Sequence, residues 1–407
     1  MSILRTALFS AGFVAIGLSQ RSLLVAPAPL TPQLRADLDL TAGAISVLTV
    51  LPLLCFGLFA TVAPKVAQQW GLDRCILGSA ALACAGVVVR SAPGVAALFT
   101  GSALIGAGVA VNNVLLPAMI KRDFSARTGL ALGCYTILLN GGAALASATT
   151  VPLADDLHLG WRIALALWGV LPVLGVLLWA PRVAGSPARA RAEGIGPRVR
   201  LRRSRLAWAV SVFMALQSLL YYALIAWLPS ILVDTGMPPR DAGATAAVMS
   251  IAGMALSFLV PIVAMRIRSQ RSLVALSTAS FGIGLVGLIV APGAAAMWWM
   301  LALGVGQGTG IALALSLLVL RTRTAGEAAQ LSGMAQTLGY LVAAAGPLMF
   351  GIAHDHTGRW TAALVASLVI TAVMLAAGWA AGTPAFVSDE RPQAGGLVAA
   401  ELPNRGP

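Results

Sequence analysis

Apolar runs of about 20 residues recur twelve times in this chain of 407, near 6–29, 42–63, 75–92, 95–117, 128–152, 161–180, 207–229, 241–264, 272–291, 297–320, 328–352 and 360–381. Each is long enough to cross a hydrocarbon layer about 30 Å thick as a helix. No water reaches backbone N–H and C=O groups in lipid, so a spanning segment must satisfy them within itself. The expected fold is all-α, a membrane protein of twelve transmembrane helices. Composition agrees: 10% of residues are charged, against about 25% in soluble proteins.

Charge sets the expected topology. Between Pro181 and Arg205 stand eight arginines (Arg182, Arg189, Arg191, Arg198, Arg200, Arg202, Arg203 and Arg205) against one acid, Glu193. Such a block between apolar halves reads as a solvated connector. The predicted divisions are an N-terminal half 1–180, a basic connector 181–206, a C-terminal half 207–381 and a disordered tail 382–407. With both termini cytoplasmic, 21 lysines and arginines fall on the cytoplasmic side and five on the other, with Arg21 inside the membrane, as the positive-inside bias requires. The net charge of +13 does not indicate nucleic acid, because aromatic residues do not interleave with the basic ones.

The halves repeat each other. At an offset of 197, Gln20 matches Gln217, Pro32 matches Pro229, Asp37 matches Asp234, Pro64 matches Pro261 and Arg74 matches Arg271; at 199 to 200, Gly106 matches Gly306, Lys121 matches Arg321 and Trp161 matches Trp360. A parallel duplication of six spans predicts two pseudo-symmetric six-helix halves with a substrate site between them near the midplane.

Three stretches carry a family resemblance: VLPLLCFGLFATVAPKVAQQWGLDR from Val50, NVLLPAMIKRDF from Asn113, and the long run from Gly304 to Trp360. They resemble the cyanate and 2-nitroimidazole transporter branch of the major facilitator superfamily, over roughly Gln20 to Gly382. The resemblance implies a monomeric, multi-pass carrier in the bacterial inner membrane, moving a small anion or polar heterocycle such as cyanate or a nitroimidazole. The loop after the second span departs from the superfamily's Gly-x-x-x-Asp-Arg-x-Gly pattern, since Gln68 stands where the acid is usual and Asp73 and Arg74 follow later. Asp73, Arg74 and Arg271 are therefore the candidate gating residues, with Asp73 placed to pair across the halves. The fifth span lacks the Gly-Pro signature of antiporters.

Arg21 is the first candidate for substrate binding. It lies fifteen residues after Thr6, about 22 Å along the first span, where a charge costs at least about 2.5 kcal/mol unless it meets water or a partner. Two roles fit: a clamp facing a cavity, or a side chain that snorkels outward or pairs with Asp37 or Asp39. All fourteen acids and all three histidines fall in loops, span ends or tails, so no proton relay is visible and an anion or an electron-rich neutral ring suits the site. Asn113, Gln217, Tyr221, Gln307, Gln336 and Tyr340 are the polar residues inside apolar runs, with Asn112, Tyr222 and Asn140 as weaker candidates. Gln217 with Tyr221, and Gln336 with Tyr340, are four apart and share a helix face. Packing through interhelical hydrogen bonds is the competing role for all of them. The rival functions are an exporter of neutral nitroimidazoles or drug-like compounds, with Tyr221 and Tyr340 stacking on the ring, and a membrane sensor that signals through the connector.

The remaining features point away from chemistry. Gly304, Gly306, Gly308 and Gly310 follow no strand, so they read as close helix packing rather than a nucleotide loop. The four cysteines sit in or beside apolar runs without metal-ligand spacing. No cofactor, metal or enzymatic site is expected. Arg90, Arg162 and Arg359 sit at outer helix ends, where two roles fit: solvated helix ends, the reading preferred, or an entry funnel.

Overall fold

The computed structural model describes residues 3–184, 201–293 and 295–389. Most of the connector and the tail from residue 390 onward lie outside them, including Arg189, Arg191, Arg198 and Arg200. The first half comprises α1 (Ile3–Val25), α2 (Thr31–Leu38), α3 (Ala42–Phe59), α4 (Ala63–Trp70), α5 (Leu72–Ser91), α6 (Val95–Asp123), α7 (Thr128–Asp155), α8 (Gly160–Leu167) and α9 (Val170–Ala184). The second comprises α10 (Arg205–Val233), α11 (Pro239–Arg266), α12 (Arg271–Val290), α13 (Ala296–Leu320), α14 (Ala325–Thr357) and α15 (Thr361–Ala381).

Eleven helical stretches among the described residues are long and apolar enough to span a membrane, and α3 with α4 makes a twelfth if their 52° bend is counted within one span. The sixth span is likewise split, at Trp168 and Gly169, into α8 and α9. Gly169 packs on Val87, where a Cβ would fall 2.9 Å from Val87 Cγ1.

The duplication read from the sequence is realised as matching bonds. Trp161 Nε1 donates to Asp37 Oδ2 at 2.7 Å, and Trp360 Nε1 donates to Asp234 Oδ2 at 2.6 Å. The packing of α6 and α13 repeats as well. A Cβ on Gly108 would fall 2.5 Å from Ser79 O, and one on Gly306 would fall 3.0 Å from Ser277 O. Both pairs differ by 198 residues, so Gly108 rather than Gly106 is the spatial counterpart of Gly306. The glycines of α13 serve close packing: Gly304 lies against Met249 and Ala252, and Gly308 against Gly253.

The end of the bundle where α9 stops and α10 begins is the connector end. Here Asp73 accepts from Arg122 at 3.0 Å and from Arg182 at 2.6 Å, while Asp123 pairs with the same two arginines at 2.8 and 2.6 Å. This network lies within the first half, so Asp73 does not make the cross-half pair expected of it. The crossing contact belongs to Lys121, whose Nζ donates to Val319 O at 2.6 Å and to Thr322 O. Thr136 Oγ1 adds a bond to Ser257 O at 2.5 Å, and Gly333 packs on Ala60 and Pro64. The two halves thus meet closely at the connector end.

The segment expected as a disordered tail begins packed. Val387 is buried, its N–H donates to Arg321 O at 2.9 Å, and Arg323 pairs with Asp389 at 2.7 Å. Its apolar residues Phe386 and Val387 give it something to bury, which the charged and Pro/Gly-rich composition of the whole tail concealed.

Candidate functional site

The chain contains four tyrosines, and all four gather around one arginine. Tyr221, Tyr222, Tyr340 and Tyr135 are near enough to act electrostatically on the Arg21 guanidinium, although they come from α10, α14 and α7. Arg21 projects from the last turns of α1, and its Nη1 donates to Asn140 Oδ1 on α7 over a long 3.4 Å. No carboxylate pairs with it among the described residues. Asp37 is engaged by Trp161, and Asp39 caps the end of α2 in a left-handed conformation. The neighbours of Arg21 are therefore hydroxyl, amide and aromatic groups, and the site keeps a net positive charge.

Asn113 joins the halves beside this charge. Its Oδ1 accepts from Tyr135 Oη at 2.7 Å, and its Nδ2 donates to Tyr340 Oη at 2.8 Å. Gln336, one turn before Tyr340 on α14, donates to Asn113 O at 3.0 Å and to Ser332 Oγ at 2.7 Å. Phe56 of α3 packs on the Tyr340 ring with centroids 4.4 Å apart, and Tyr221 meets Tyr222 edge to face at 5.1 Å. Polar side chains from both halves thus line one locus in the middle of the bundle, bounded by flat rings.

Of the residues proposed from the sequence, Arg21, Asn113, Gln336, Tyr221 and Tyr340 converge here. Gln217 bonds to Ser218 Oγ at 2.7 Å and packs on Gly310, while Gln307 Oε1 lies against Gly253. Both contacts stay inside the second half. Arg74 is exposed; Arg271 donates to Trp379 O at 3.2 Å and covers the Trp379 ring, also within one half. Tyr135 was missed, and Asn140 and Tyr222 were ranked low. The scarcity of tyrosine was the available signal: four in 407 residues, each inside an apolar run.

The sequence profile of the Major Facilitator Superfamily matches residues 8–347. This chain belongs to that superfamily. It is 37% identical over 379 residues to the 2-nitroimidazole transporter of Escherichia coli (strain K12), covering 91% of this chain and 94% of that protein. It is 29% identical over 348 residues to the cyanate transport protein CynX of the same organism, covering 85% of this chain and 90% of CynX. Among solved structures, the proton:xylose symporter XylE superposes with a TM-score of 0.70 at 13% identity, over 91% of this chain and 94% of that one. The chain is a multi-pass membrane transporter of this superfamily, homologous to 2-nitroimidazole and cyanate transporters, and the family is a class of transporters rather than enzymes.

Proposed function

We propose that this carrier moves a small anion or polar heterocycle, cyanate-like or 2-nitroimidazole-like, by alternating access across the bacterial inner membrane, with Arg21 as the fixed positive charge of its site. One observation carries the reading: an intramembrane arginine without a carboxylate partner among the described residues, with every tyrosine of the chain near it, where Asn113 bonds across the halves. Such a guanidinium stays charged and offers a planar fork to a solute with one or two negative oxygens. The tyrosine rings offer flat faces to a heterocycle.

In this proposal residues 1–180 and 207–381 rock against each other about the site, the connector 181–206 and both termini are cytoplasmic, and residues 382–407 form a tail whose start packs on the second half. Lys121 closes the connector end, while the Asp73 network and Arg271 hold the helix ends of their own halves. The tyrosine ring also supports a second reading, export of a neutral nitroimidazole held by stacking. Flux into proteoliposomes, with labelled cyanate and labelled 2-nitroimidazole compared at zero and imposed membrane potential, separates the two. Saturable, potential-sensitive cyanate flux supports the anion carrier; potential-independent flux of the nitroimidazole alone supports the stacking site; no saturable flux of either rejects both substrate classes.

A further inference from the structure

A second arginine is buried away from the Arg21 site. Arg90, near the end of α5, is 1% exposed, contrary to the solvated helix end expected of it. Its Nη1 donates to Leu23 O at 2.8 Å and its Nη2 reaches Leu165 O at 3.5 Å, so its described partners are two neutral carbonyls. Nε is buried without a partner. Ser102 on α6 is 6% exposed, and its hydroxyl is also unpartnered. Both side chains line a cavity of about 60 Å³ at the end of the first half away from the connector.

We propose that this cavity is a binding site for a small monovalent anion, separate from the central site. The chemistry selects the ligand. Two unsatisfied donors, one on a guanidinium that keeps its charge, call for an acceptor bearing negative charge. The volume excludes a drug-sized ligand, which takes roughly 300 Å³ or more, and suits an ion of halide size. Leu23, Leu24 and Ile105, which line the cavity, belong to an apolar cluster that also holds Phe56 and Tyr340. Leu23 follows Arg21 by two residues on α1, so an ion held here acts on the helix that carries the central charge.

Thermal unfolding of the purified full-length protein tests the site, with sodium chloride titrated against sodium gluconate at constant ionic strength. Chloride is expected to raise the melting temperature saturably in the native protein and in Arg21→Gln. Ser102→Ala deletes a hydroxyl that holds nothing in the ion-free protein, so it folds, and it is expected to weaken the apparent Kd for chloride by about tenfold, the loss of one hydrogen bond to a charged group. Arg90→Gln is expected to abolish the shift where it folds. A shift lost in Arg21→Gln but kept in Ser102→Ala overturns the proposal by placing chloride in the central site. No saturable shift in the native protein also overturns it.

Discussion

Replacing Lys121 with methionine is expected to open the connector end. The ammonium of Lys121 donates to Val319 O and Thr322 O across the halves, where α13 ends and its last carbonyls lack helical partners. A hydrogen bond involving a charged group contributes about 1.5–3 kcal/mol. Two such bonds, offset by the hydration the ammonium regains when the halves part, leave about 2 kcal/mol in favour of the closed end. Methionine keeps the apolar stem and removes both bonds, so the open-to-closed ratio rises by about thirtyfold. Spin labels at Arg127 and Arg268, exposed residues on opposite halves, in a background with all four cysteines replaced, report the separation by double electron–electron resonance. Lys121→Met is expected to add a longer-distance population, and Lys121→Arg to restore most of the short one. Identical distance distributions in the native and Lys121→Met proteins would refute the latch.

Other substitutions test the fold and the site separately. Trp161→Phe and Trp360→Phe each remove one indole bond to a carboxylate at equivalent places and are expected to lower stability by similar amounts, about 1.5–3 kcal/mol each, read as similar drops in melting temperature; a large loss in only one half contradicts their equivalence. Gly108→Ala puts a methyl 2.5 Å from Ser79 O, whereas nothing lies within 4 Å of a Cβ on Gly243; the first is expected to cost several kcal/mol of stability and the second to be tolerated, as read by detergent melting. Tyr340→Phe deletes the hydroxyl that accepts from Asn113 while keeping the ring against Phe56. It is expected to raise KM about fivefold for an anionic substrate, and an unchanged KM would remove this bond from the site.

Much of this was legible from single residues and much was not, for one physical reason. A residue that breaks an apolar run is visible in one dimension, so Arg21, Asn113, Gln336 and Tyr340 stand out from the sequence. Their convergence is not visible, because Asn113 and Tyr340 are 227 residues apart and meet only through the packing of α6 on α14. The same limit hid Tyr135, which reads alone as one aromatic residue in a span. Lys121 looked like another member of the positive-inside count, yet it alone of that loop's basic residues is seen bonding across the halves. Asp73 looked like the latch because it follows Gln68, which stands where the superfamily signature has its acid, but Arg122 and Arg182 lie closer and satisfy it within its own half. Arg90 sits at a helix end by sequence, where solvent is the ordinary partner; the last turn of α1, α8 and Gly101 of α6 pack around it.

The central claim is that Arg21 is kept for transport at a cost to stability. A charge without a carboxylate partner among the described residues costs at least about 2.5 kcal/mol at this depth, so Arg21→Gln is expected to raise the melting temperature of the purified protein while it lowers the kcat/KM for cyanate in proteoliposomes by about a hundredfold, the loss of a charge-assisted contact of roughly 2.8 kcal/mol. Measuring melting and flux on one preparation of Arg21→Gln gives the most direct test: a stabilised protein with flux nearly abolished is the predicted result, and a protein that melts earlier yet transports cyanate at the native rate would contradict it.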